Sequence, residues 1–267
     1  MKPTISRIES TVTRLHEQGR TGLIVYLCAG DPDFDTSLAL LDAAGEADMV
    51  EIGLPFSDPV ADGPVLQDAH RRALASGQTV AKTLRLLTAW RQRRPDTPAV
   101  LMGYFNPVLT YGVERFMTEA ADAGADALIL VDLPYEHADA VRQQARAAGL
   151  SLIPMVAPTS DSSRRARILN QAEGFVYQVM LNGTTGASQR PAELPNATLR
   201  ELRADTTLPI AAGFGIRTPQ QARALMPQVD FVIVGSALVE AIRQGPAEAA
   251  VVRCRDTVRA FRDAMTP

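Results

Sequence analysis

Cysteine is nearly missing from this 267-residue chain: Cys28 and Cys254 are the only two, and neither has a second thiol near it in sequence. That excludes a thiolate zinc site or a redox pair by motif, and it sets a reducing, cytoplasmic compartment as the expectation. Strong charge of either sign is missing too. A net charge of −3 with no Lys/Arg run offers no footprint for nucleic acid. Arg91, Arg93 and Arg94 cluster at the end of a helical stretch, where they complement the helix dipole. No apolar run approaches the ~20 residues needed to span a bilayer, so no membrane partner is expected. The N-terminal stretch lacks the apolar core of a signal segment. Its Ile5, Ile8, Val12 and Leu15 instead carry the spacing of an amphipathic helix. The three histidines, His16, His70 and His137, fall in helical segments without metal-ligand spacing. They are expected at the surface, and no metal site is expected. There is no Ser-His-Asp set, nucleophile elbow or Walker loop.

What the chain does have is alternation. Eight β-rich runs recur: 23–29, 49–55, 99–105, 127–133, 150–156, 175–181, 209–215 and 231–238. Helical patterns separate them, and no composition break divides residues 1–267. Strands alternating with helices imply a parallel sheet with crossover helices, and eight such units at this length predict one closed (β/α)₈ TIM barrel. An additional N-terminal helix precedes the first strand. Gly124, Gly149 and Gly174 each end a helical pattern just before a strand, as left-handed caps do. Two connections are extended, those after the second and sixth strands. The first includes an extra helix, "VLQDAHRRALASG", and the second holds "NGTTGASQRPAELP". Barrel chemistry sits on such loops at the C-terminal mouth.

The second strand and its loop read "EIGLPFSDPVADGP", with three acids, Glu51, Asp58 and Asp62, and no base among them. Side chains alternate along a strand, so Met49, Glu51 and Gly53 share the face opposite Val50 and Ile52. With the latter turned to the helices, Glu51 points into the barrel. Desolvation there raises a carboxyl pKa and suits it to proton transfer near neutrality. The plain alternative is an interior Glu held by backbone or water hydrogen bonds. Asp62 lies in a turn-forming loop stiffened by Pro55, Pro59 and Pro64. Plain turn chemistry accounts for an Asp beside Gly. The pairing with Glu51 suggests a division of labour, one carboxyl moving protons and one ionised carboxylate holding a donor. Gly213, Gly215, Gly235 and Ser236 close the last two strands, where barrel enzymes commonly bind phosphate. Tight barrel corners need glycine as well. Asp132 closes the fourth strand and, counted from Leu128 and Leu130, is read as turning inward, there to support a loop or touch substrate. "NGTTGA" after the sixth strand reads as a lid or as an ordinary surface loop.

"PFSDPVADGP", "AGDP" (29–32), "NPV" (106–108), "DLPYE" (132–136), "GTTGA", "GFGI" and "GSALV" occur in this order. Together they closely resemble the tryptophan synthase α-subunit family, from about residue 23 to about residue 240. The resemblance implies a (β/α)₈ barrel that cleaves indole-3-glycerol phosphate to indole and glyceraldehyde 3-phosphate without a cofactor of its own. Pyridoxal phosphate (PLP) is expected only on a partner tryptophan synthase β subunit, in an α2β2 heterotetramer. It implies Glu51 as the acid/base and Asp62 beside the indole N–H. Tyr177 falls near the reacting centre. Gly186, Gly215, Gly235 and Ser236 fall around the phosphate, with Phe214 close by, and Tyr26, Met102 and Leu66 in the indole pocket. Asp58 and Thr185 match positions tying loop closure to the β subunit. Cys28, where Thr is usual, and Thr184, where Val is common, depart from the family pattern. Two other readings stay open: a stand-alone indole-3-glycerol phosphate lyase of another pathway, and a weakly catalytic allosteric partner.

Overall fold

The computed structural model describes residues 6–180 and 196–266. Helix α1 (Arg7–Glu17) opens it. Ser6 caps α1 and Glu9 answers, Glu9 N–H donating to Ser6 Oγ at 3.1 Å and Ser6 N–H to Glu9 Oε2 at 3.0 Å. Then follow β1 (Gly22–Cys28), α2 (Phe34–Ala43), β2 (Met49–Gly53), α3 (Pro64–Ala75), α4 (Val80–Arg93), β3 (Ala99–Gly103), α5 (Phe105–Tyr111), α6 (Val113–Asp122) and β4 (Ala127–Leu130). Helix α7 (Asp139–Ala147), β5 (Ser151–Leu152), β6 (Met155–Val156), α8 (Ser162–Leu169) and β7 (Val176–Val179) continue the chain. It closes with α9 (Asn196–Asp205), β8 (Ile210–Gly213), α10 (Pro219–Leu225), β9 (Phe231–Val234), α11 (Ser236–Arg243) and α12 (Ala250–Ala264).

Every strand pairing is parallel, in the order β5-β4-β3-β2-β1-β9-β8-β7-β6. The two ends of that order are halves of one predicted strand. Pro154 interrupts it because proline has no N–H to give the ladder. The neighbouring bonds persist: Ile153 N–H donates to Leu128 O at 2.8 Å, and Tyr177 N–H donates to Pro154 O at 3.0 Å. The eight predicted strands are therefore present, the fifth in two pieces, and the sheet curls into the expected TIM barrel.

Strand alternation splits the apolar residues into two cores. Ile24, Tyr26, Met49, Met102, Ile129, Phe175, Tyr177, Phe231 and Ile233 fill the barrel. Leu23, Val25, Val50, Ile52, Leu101, Leu128 and Val232 lie between strands and helices with Trp90 and Phe116. Helix α1 adds Ile8 and Leu15 to the inner core, so the amphipathic N-terminal segment plugs one end of the barrel. The three glycine caps hold positive φ of 92°, 81° and 69° at Gly124, Gly149 and Gly174.

Most strand readings overrun the observed C-terminal ends by two or more residues, and two of them run on into helices. The third gives way to α5 at Phe105 and the eighth to α11 at Ser236. "FVIVGSAL" is one apolar run, but Gly235 adopts ψ −88° and turns the chain into a helix. Arg91 does more than complement the dipole of α4. It donates to the carbonyls of Gly124 at 2.7 Å and Thr97 at 2.6 Å and pairs with Asp126 at 3.1 Å.

Candidate functional site

The inner face of β2 carries Glu51 into the barrel, as period-two alternation requires. Its side chain is buried, Oε1 meets no hydrogen-bond partner, and burial alone pushes the carboxyl up to about 8. Glu51 lies beside Tyr26 in register across β1 and Val100 across β3. Among the described residues no cation neutralises it, so burial favours the protonated carboxyl across most of the neutral range.

A narrow cavity above it has about 380 Å³ of empty space, counting its open mouth. Glu51, Asp62, Tyr26, Leu66, Met102 and Tyr177 line one part; Phe214, Gly215, Gly235 and Ser236 line the other. Within the described stretches, the residues assigned to acid–base chemistry, ring or phosphate therefore converge here, except Gly213, which does not line the cavity. Ile216 and Ile233 join them without having been anticipated. The two tyrosines lie across glycines. A Cβ at Gly53 would stand 2.1 Å from the Tyr26 hydroxyl, and one at Gly213 would stand 2.2 Å from that of Tyr177. Burial raises both phenols well above their usual range, so they stay protonated.

Asp62 sits at the start of α3, where the loop after β2 ends. Tyr104 O–H donates to its Oδ2 at 2.8 Å, and the Ala61 N–H donates to the Tyr104 oxygen at 3.0 Å. His70 Nε2 stands 3.3 Å from the same Oδ2. The loop is braced further by Gln67 Nε2 donating to Asp62 O at 2.8 Å. Asp31, beyond β1, grips Arg72 of α3 at 2.7 and 2.6 Å.

The opposite rim is built from backbone. Phe214 holds φ +69° and Gly215 φ +101°, and a non-glycine residue in the left-handed region marks stored strain at a site. The Phe214 ring meets Tyr177 edge-on at 5.6 Å. Helix α11 starts at Gly235 with no side-chain cap, and the Leu238 and Val239 amides return to the Gly235 carbonyl. The N–H groups of Ser236 and Ala237 are thereby left for a ligand, the arrangement that holds anions at helix N-termini.

Several expectations need correction or fall elsewhere. His70 is not at the surface: it is 2 % exposed and faces Asp62. Its signal was present, since it follows Leu66 by four residues on one helix face. Polar character read as surface character hid it. Tyr104 was also missed, although it continues the inner face two residues beyond Met102. His16 and His137 are exposed as expected. Asp132 does not turn inward. Leu128 and Leu130 belong to the outer core and Ile129 to the inner one, so the parity was opposite. Asp132 is exposed and accepts the Phe105 N–H at 2.7 Å, supporting the start of α5. Asp58 is exposed and does not line the cavity. Thr184, Thr185 and Gly186 lie outside the described residues. Cys28 is buried on the inner face. Among the described residues no three His, Cys, Asp or Glu side chains gather as metal ligands, and no helix is long and apolar enough to cross a membrane.

The fold and the cavity define a class, the (β/α)₈-barrel enzymes whose chemistry sits at the C-terminal ends of the strands. A family model described as tryptophan synthase alpha chain matches residues 12–266. The tryptophan synthase alpha chain of Granulibacter bethesdensis is 48 % identical over 242 residues, 90 % of this chain and 87 % of that one. The crystal structure of the alpha subunit from Legionella pneumophila, 34 % identical, superposes with a TM-score of 0.89 over 98 % of this chain and 99 % of the other. A chain from the tryptophan synthase α2β2 complex of Pyrococcus furiosus, 36 % identical, gives 0.84 over 91 % of this chain and 99 % of that one. This chain belongs to the tryptophan synthase alpha chain family. It is a carbon–carbon lyase of tryptophan biosynthesis, cleaving indole-3-glycerol phosphate to indole and glyceraldehyde 3-phosphate. None of the comparisons favours the stand-alone lyase or the allosteric partner.

Proposed function

We propose that Glu51 and Asp62 carry this cleavage and that the glycine rim of β8 and β9 holds the substrate phosphate. The observation that supports it most is a buried, unpartnered carboxyl at about 8 in the one cavity that gathers the predicted residues. Neutral Glu51 gives its proton to C3 of the indole ring. The ring becomes a cation with its charge spread to the nitrogen, and it can then accept the electron pair of the carbon–carbon bond. That pair returns to the ring and restores aromatic indole. The side-chain hydroxyl loses its proton to the Glu51 carboxylate and becomes the aldehyde. The proton count closes, and Glu51 ends as it began.

Asp62, as the carboxylate, accepts the indole N–H and stabilises the charge that develops there. This is electrostatic help that grows toward the transition state. At the far end, the amides at Gly215 and the start of α11 with the Ser236 hydroxyl bind the phosphate dianion. Remote binding energy of this kind fixes the reacting bond over Glu51. Tyr26, Leu66 and Met102 flank the ring, and Tyr177 stands near the reacting carbon. Gly186 joins the phosphate group from the loop after β7.

The partner is proposed to be a tryptophan synthase β subunit in an α2β2 heterotetramer. Asp58 and Thr185 couple loop closure to it, and PLP is held by β alone. Exposed Val60 and Leu109, on the loop after β2 and on α5 at the mouth, support a protein partner at this end. The setting is proposed to be the cytoplasm, in keeping with two buried, unpaired cysteines. Release of indole from indole-3-glycerol phosphate, with and without a β subunit, tests both parts. Turnover that Glu51→Gln leaves within about tenfold, a loss of only ~1.4 kcal/mol, would remove Glu51 as the proton carrier.

A further inference from the structure

We propose that His70 is a positioning residue for this reaction, tying the backbone of the loop after β2 to one oxygen of the Asp62 carboxylate. The inference rests on the roles proposed above for Asp62.

Two relays converge on Asp62 Oδ2, and both start from backbone amides of the same loop. In the first, Ala61 N–H donates to the Tyr104 oxygen at 3.0 Å and Tyr104 O–H donates to Oδ2 at 2.8 Å. In the second, Phe56 N–H donates to His70 Nδ1 at 3.2 Å, and His70 Nε2 lies 3.3 Å from Oδ2. An Nδ1 that accepts a backbone N–H puts the ring proton on Nε2. The buried Nε2–H makes no hydrogen bond at this geometry, and Asp62 Oδ2 is the carboxylate oxygen beside it at 3.3 Å. A buried donor in this state gains most from a fixed negative charge.

Around this junction the rings are packed as well as bonded. Phe56 lies 5.3 Å from Tyr104, and His70 meets Tyr104 edge-on at 6.5 Å. Both groups lie at Oδ2, Tyr104 as its hydrogen-bond donor and His70 Nε2 beside it. With Oδ2 turned to these two groups, Oδ1 is assigned to the indole N–H. If the loop moves at Phe56, the His70 ring loses its anchor and the carboxylate loses a donor. Loop shape and carboxylate aim are one unit, with His70 as the second pin beside Tyr104.

Asparagine at position 70 keeps an acceptor near Nδ1 and loses the donor near Nε2; glutamine keeps a donor near Nε2. His70→Asn should lower kcat for indole release about tenfold to thirtyfold, the range of a hydrogen bond to a charged group, with KM within about twofold. His70→Gln should recover to within about threefold of wild type. In an Asp62→Asn background, His70→Asn should add little, because the group it aims is already gone. Nitrogen NMR of the wild-type full chain should show the Nε2-protonated tautomer of His70, a readout that needs no variant. An Nδ1-protonated ring, an unchanged kcat in His70→Asn, or full additivity with Asp62→Asn overturns the inference while leaving the lyase reading intact. A wild-type chain that releases no indole, even with a β subunit, fails the proposed roles and takes this inference with them.

Discussion

The two rims of the barrel mouth solve different problems with different parts of the chain. On the β2 side the proposed working groups are side chains, Glu51 and Asp62, the latter flanked by other side chains, Tyr104 and His70. On the β8 and β9 side they are main-chain amides, exposed by Gly215 and an uncapped helix start. Proton transfer needs a group whose affinity for a proton can be tuned, and only a side chain offers that. A dianion needs several donors at short range with no bulk between, and glycine backbone offers that.

The contrast predicts that damage at the first rim appears in kcat and damage at the second in KM. Glu51→Gln is the most severe test: kcat should fall at least about a thousandfold, within the range of acid–base catalysis, while KM stays near wild type. The same substitution carries a stability signature. The Glu51 carboxyl stands at about 8 in the fold against 4.5 as an ordinary glutamate. The unfolded chain therefore releases this proton first, and the native state binds more protons across that interval. Its contribution is full below pH 4.5, declines as pH rises and levels off above about 8. Denaturant melts across that window should show a decline on the order of a few kcal/mol in wild type that Glu51→Gln lacks. For the same reason, kcat/KM of the wild type should drop on the alkaline side of about pH 8.

Tyr104→Phe removes the hydroxyl that donates to Asp62 Oδ2 and should lower kcat about tenfold with KM nearly unchanged, as read by steady-state indole release. At the other rim, Gly215→Ala forces a Cβ onto φ +101°. KM for the phosphate ester should rise about fivefold to tenfold with kcat within about twofold. A Gly215→Ala chain that lost kcat at unchanged KM would erase the distinction between the rims.

Much of this was legible in one dimension because the signals are local. Helix–strand alternation, glycine caps and the parity of Met49, Glu51 and Gly53 each depend on neighbours within a few residues. The errors share a cause. Asp132 was placed by counting from the wrong leucines, and a fully apolar strand such as "ALIL" has no alternation to count by. Pro154 split a strand that composition alone ran through. His70 and Tyr104 carried same-face spacing, but nothing nearby showed that the loop would fold back over them.

Sequence alone was enough to specify the barrel, the inward aim of Glu51 and the glycines at its far edge, since period and backbone freedom are properties of short segments. The convergence of residues 26, 51, 62, 177 and 215 on one cavity arose only when the sheet closed on itself. So did the meeting of Asp62 with a histidine from the middle of α3 and a tyrosine from the start of α5. Burial and long-range contact do not exist in an open chain. The proton affinity of a carboxyl and the aim of its neighbour are set by what surrounds them.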